Sequence, residues 1–155
     1  TEQPIGAMVV GTNAAPLLVS TSGIIIGPAP DRMVAALADA GSTPELPVMH
    51  SDGAPQNAGA TLMDGVAINL LASIWHILAA AGPALAPRTA ERRADSATSF
   101  DIHTASGAIM SITTDETADA QAQKLEAALR SRPSPAARAA LRAIDLRYGD
   151  RIFLK

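Results

Sequence analysis

The residues whose side chains could move a proton or hold a metal are few and scattered. Three histidines, His50, His76 and His103, lie far apart, and none has the one- or three-residue spacing that lets two imidazoles on one element ligate zinc. His50 stands two residues before Asp52 in a Gly/Pro-rich stretch, where an imidazole and a carboxylate can pair as a base and its orienting group. His103 falls in an alternating, strand-like run, and His76 on a long apolar helix reads as a polar edge. His50, Asp52 and His103 are therefore the set on which a small envelope hydrolase or ligand-binding domain would rest. Asp101, Asp115, Glu116 and Asp119 form an acidic cluster, expected to be a solvated surface biased toward a helix N-terminus.

Other chemistries lack their residues. No Gly-x-Ser-x-Gly elbow, Ser-x-x-Lys pair, Gly-Lys-Ser/Thr phosphate loop or Asp-x-Asp calcium loop occurs. The absence of cysteine excludes disulfide scaffolds and thiolate sites. Fifteen acids against twelve Lys and Arg argue against a nucleic-acid binder, whose affinity comes from clustered cations. The aromatic content of 3% leaves little for base stacking. We expect no catalytic residue, no metal and no cofactor.

The elements that would position these residues follow from periodicity. Residues 5–10 read as a short strand ended by Gly11-Thr12-Asn13. Leu17-Leu18-Val19 and Ile24-Ile25-Ile26, split by Ser20-Thr21-Ser22-Gly23, read as a hairpin. Asp31 caps a short helix with Val34, Leu37 and Ala38 on its apolar face, and Pro44 to Gly59 is loop. A long helix spans Thr61 to Ala81, its stripe running through Leu62, Val66, Leu70, Ile74 and Ile77. Strand-like alternation over Arg88–Arg93 and Ser99–Thr114 makes a second hairpin about Ala105-Ser106-Gly107. An amphipathic helix from Glu116 to Ser131 starts at a Thr114 or Asp115 cap and is ended by Pro133 and Pro135. The expected architecture is α+β in one domain over residues 1–155: a mostly antiparallel sheet with helices packed on one face.

From Gly65 to Pro87 no charged residue occurs, long enough to cross a hydrocarbon core of ~30 Å. Asn69, Ser73, His76 and the Gly82-Pro83 break, with much alanine, favour a buried helix of a soluble chain over a membrane-inserted subunit. No signal peptide is read, since a starting Met, a basic n-region and a cleavage site are all missing.

The last segment carries most information. Ile144 to Tyr148 and Arg151 to Leu154 are strand-like runs split by Gly149-Asp150, a tight-turn pair. A terminal strand of this kind is either internal to the sheet or a free edge that a partner's strand can extend, and the pattern leaves both open.

Ile144-Asp145-Leu146-Arg147-Tyr148, a short turn and a strand resemble the end of the extracytoplasmic β domain of the FtsQ/DivIB cell-division proteins. Upstream, Glu2-Gln3-Pro4-Ile5-Gly6-Ala7 is similar to that family's Glu-x-x-Pro-hydrophobic-Ala strand, and Leu17 to Ile25 to its hairpin. Leu46-Pro47, the long helix, the turn at Ser106-Gly107 and Lys124-Leu125 follow in the family's order, although Ser20 stands where an acid is usual. The resemblance implies a FtsQ/DivIB β-domain-like fold, with residues 1–12 at the end of a preceding POTRA-like domain and the transmembrane and cytoplasmic parts outside this chain. It implies a non-enzymatic divisome scaffold on the periplasmic side of the bacterial inner membrane, acting in septum formation. Its partners would be other divisome membrane proteins of FtsB/FtsL type, captured by strand addition at the C-terminal β edge, with no nucleic acid and no small-molecule substrate. Carried onto this sequence, the partner-binding residues are Arg147, Tyr148 and Gly149, which frame the edge, and Ile152, Phe153 and Leu154, which supply backbone and apolar contacts.

Overall fold

The computed structural model describes residues 6–11, 15–39, 41–51 and 57–155. The Glu2–Ile5 part of the first predicted strand, Thr12, Asn13 and Asp52 lie outside them. The fold is α+β. Among the described residues nine strands form one mixed sheet: β1 (Gly6–Gly11), β2 (Leu17–Ser20), β3 (Ile25–Pro28), β4 (Val48–His50), β5 (Pro87–Arg92), β6 (Ser99–Thr104), β7 (Ile109–Thr113), β8 (Ala143–Tyr148) and β9 (Arg151–Leu154). Their order is β3-β2-β1-β4-β5-β6-β7-β8-β9. Pairing is antiparallel except at β1–β4, β4–β5 and β7–β8, which are parallel. Parallel neighbours need a crossover, and a helix lies between the members of each such pair. These are α1 (Asp31–Ala38), α2 (Gly65–Ala80), and α3 (Ala118–Arg130) followed by α4 (Pro135–Ala139).

α2 and α3 pack on each other over one face of the sheet. Ala67, Ile68, Leu70, Leu71, Ile74, Trp75 and Leu78 of α2 are buried, with Leu125 and Leu129 of α3. They meet Phe100, Ile102, Met110, Ile112, Ile144 and Leu146 from the strands in one core. α2 begins at Gly65, later than the periodicity suggested, because the Asp64 carboxylate caps it by accepting from the Ala67 N–H at 2.8 Å. Val66, placed on the apolar stripe from sequence, is 61% exposed in the first turn, while Ala67 and Ile68 take the inward positions. Among the described residues no helix is long and apolar enough to cross a membrane.

Helices on one face is an expectation that α1 breaks. Leu17 and Val19 point into the main core, whereas Leu18 between them joins Ala29, Met33, Leu37 and Leu46 in a second cluster. Alternate residues of a strand face opposite sides, so α1 covers the far side of β2. Its inward residues are Met33 and Leu37 rather than Val34, which is exposed. Asp31 lies inside the helix and Pro30 holds the cap position, with no side-chain cap bond.

Two further elements were not expected. β4 emerges from the middle of the predicted loop, and α4 starts at a proline read as a terminator. Ser134 accepts from the Ala137 N–H at 3.1 Å, and Pro135 fills the first helical position, where its missing N–H costs nothing. α3 likewise is capped by Thr117, not by Thr114 or Asp115.

Candidate functional site

The two margins of the sheet are built differently. β3 is covered: Ile25 donates to the Ala60 carbonyl at 2.9 Å, Gly59 donates to Ile25 at 2.8 Å, and Leu62 donates to Gly23 at 2.8 Å. β9 ends the opposite side of the strand order, with β8 on one flank and no further strand among the described residues. The last strand is thus an edge, which the sequence had left undecided.

The bonding parity of β9 follows from its end. Ala143 and Lys155 exchange both backbone bonds, each at 3.0 Å. Antiparallel pairs alternate between bonded and non-bonded residues, so Leu154, opposite Ile144, turns its N–H and C=O away from β8. Phe153, opposite Asp145, turns its own toward β8, and Ile152 again faces outward. Two residues therefore offer a full donor–acceptor set to an added strand. Their side chains rest half-buried on the main core, while Phe153 lies on the other face, 51% exposed.

The six residues drawn from the resemblance gather at this margin. The Arg147 guanidinium donates to both oxygens of Asp145, at 2.9 and 2.7 Å, and stacks 5.3 Å above the Tyr148 ring. Tyr148 meets Phe153 edge-to-face at 5.4 Å, so two exposed rings stand side by side. Gly149 opens the turn in the left-handed region, φ +51°, which suits glycine. Between α3 and β9 runs a groove of about 470 Å³, walled by Ala120, Gln123 and Ala127 on one side and Ile152 on the other.

The open face of the sheet carries an ion-paired row. Partial burial works to raise the Asp145 pKa, but hydrogen bonds from Arg147 outweigh it and hold the carboxyl below its ordinary value. Arg93 bridges Asp95 at 2.9 Å and Asp101 at 3.0 Å, and Asp101 also accepts from Ser111 at 2.6 Å. A depressed carboxyl contributes stability above its unfolded pKa of ~3.9, and that contribution disappears as pH falls through the folded value. We expect the unfolding midpoint of the wild type to drop more steeply below about pH 4 than that of Asp145→Asn. Thermal melts at pH 5 and pH 3 check this, and parallel slopes would contradict it.

The acidic cluster expected from sequence separates into four. Asp101 belongs to the row just described, and Asp115 accepts from Thr98 and Thr113. Glu116 joins Lys124 at the β8–β9 turn, leaving Asp119 in the first turn of α3. The histidine set is not drawn together either. His50 is exposed at the end of β4, and His103 on β6 bonds Glu91 at 2.9 Å, with β5 lying between the two strands. His76 is exposed on α2. No group of three or more metal-ligating side chains occurs among the described residues. Sequence reasoning missed the contacts of Glu116 and Lys124 with the hairpin turn, because Gly149 lies 33 and 25 residues away from them and no local spacing relates them.

Comparison with protein-family models and with curated proteins finds no match for this chain.

Proposed function

We propose that this chain is a protein-interaction module that captures a partner's extended segment by adding it as a tenth strand beside β9. The observation that carries the reading is the outward set of N–H and C=O groups at Ile152 and Leu154 on the sheet's uncovered margin. Native sheets normally shield such groups, and among the described residues this one shields β3 with residues 59–62 while no further strand lies beside β9. Backbone bonding to Ile152 and Leu154 would give affinity, and the groove beside α3 and the Tyr148–Phe153 pair would sort guests by side chain.

The resemblance of the C-terminal hairpin to the FtsQ/DivIB β domain supports a more specific version. In it the chain is a non-enzymatic divisome scaffold at the outer side of the bacterial inner membrane, and its guests are FtsB/FtsL-type membrane proteins. The terminal position of β9 agrees with strand addition as that family uses it. Removing Arg151–Lys155 is expected to abolish co-purification of the extracytoplasmic segment of an FtsB/FtsL-type protein, while helical circular dichroism from α2 and α3 persists. Undiminished co-purification by the shortened chain would overturn the reading.

A further inference from the structure

An open edge is useful only if it stays in place, and one end of β9 is held by side chains from another element. The β7–β8 ladder pairs Ser111 with Asp145 and goes no further. The next donor along it, the Thr113 N–H, goes instead to Gln121 Oε1 at 2.9 Å. The Leu146 carbonyl is taken by Lys124 Nζ. Lys124 also donates to the Gly149 carbonyl at 2.8 Å and pairs with Glu116 Oε2, while Glu116 Oε1 accepts from the Gly149 N–H at 2.9 Å. All three ammonium protons thus have partners, and none is left for a guest. The side chains are only 12% and 21% exposed, so water screens the pair little. Arg147, the neighbouring residue of β8, gives its N–H to its own Asp145 carboxylate, where the β8–β9 register shifts between Asp145 and Tyr148.

We propose that Lys124 and Glu116 are positioning residues that fix the β8–β9 turn to α3 and so hold β9 in the register that turns Ile152 and Leu154 outward. This rests on the docking reading above for its purpose, but its geometry does not depend on any guest. Without the clamp, the shifted hairpin keeps its bonds at the Asp145–Phe153 and Ala143–Lys155 pairs, the Arg142 N–H to the Lys155 carbonyl and the turn-closing pair, but nothing from α3 fixes its turn. Lys124 and Glu116, which also line the groove beside α3, thus serve the site by placing β9 rather than by donating to a guest.

Residue-resolved amide hydrogen exchange on the whole chain tests it without a partner. In the wild type, the Ile152 and Leu154 amides exchange at least tenfold faster than Phe153. In Lys124→Met, protection at Gly149 and Phe153 falls at least tenfold, while Leu71 and Ile74 in α2 change less than twofold. Glu116→Gln gives a smaller loss at the same two residues, and Lys124→Arg, which still donates to the carbonyls, recovers most of it. Unchanged Phe153 protection in both Lys124→Met and Glu116→Gln overturns the clamp and leaves the docking reading intact. A loss spread equally over α2 and β9 also overturns it, because the pair would then be a general support. Wild-type Ile152 and Leu154 amides as protected as Phe153 would instead sink the docking reading.

Discussion

A Leu154→Pro chain is expected to keep its fold and lose its guest. The Leu154 N–H points away from β8, so proline at this position deletes no bond of the sheet. What it deletes is one of the two donors offered to an added strand, and its ring occupies the line along which a guest carbonyl would approach. Together these effects should weaken capture by about 1–3 kcal/mol, roughly ten- to a hundredfold in Kd. Phe153→Pro is the informative contrast. There the lost N–H faces β8, so the sheet itself is frayed and the unfolding midpoint falls with affinity. Titration calorimetry with the extracytoplasmic segment of an FtsB/FtsL-type protein, beside thermal melts of both variants, separates the two. Equal affinity of Leu154→Pro and wild type would mean that the guest does not use the backbone of β9.

The contrast between those neighbouring positions shows what can be read from the chain and what cannot. The β8–β9 hairpin is legible because Gly149-Asp150 divides two short apolar runs, a local signal. Its place at the sheet's margin is not legible, since strand order is decided by contacts far apart in sequence. β4 shows the same divide. Val48-Met49-His50 has no strand signal of its own, and it becomes a strand because β1 and β5 bracket it. The stripe on α2 had the right period and the wrong phase at its start, since Asp64 sets the first turn and rotates Val66 outward. Pro135 is ambiguous by nature: it ends one helix or opens another, and Ser134 before it decides the matter. The clamp lay beyond any pattern. Glu116 and Lys124 read as ordinary surface charges until the turn at Gly149 folds between them.

Gln121→Leu is expected to be among the most destabilising single substitutions in the chain, although it replaces a polar residue in an apolar setting. Gln121 is fully buried on α3, and its amide answers both backbone groups of Thr113: Oε1 accepts from the N–H, and Nε2 donates to the carbonyl. Leucine fills a similar volume but answers neither. Two buried backbone groups then lose their partners at ~1–3 kcal/mol each, against which the added apolar surface recovers only part. We expect a net loss of about 3 kcal/mol, or roughly 6–12 °C in Tm for a chain of this size, measured by calorimetry. The freed Thr113 N–H would also lie next to the Leu146 carbonyl that Lys124 now holds, so the parallel ladder gains a chance to close by one bond. That makes Gln121 and Lys124 competitors over the end of the same ladder. A double-mutant cycle of Gln121→Leu with Lys124→Met should accordingly depart from additivity by more than ~0.5 kcal/mol, with the second substitution costing less in the presence of the first. Strict additivity would mean that α3 holds β7 and β8 by two independent contacts, and that the ladder's early end at Ser111–Asp145 has no bearing on where β9 sits.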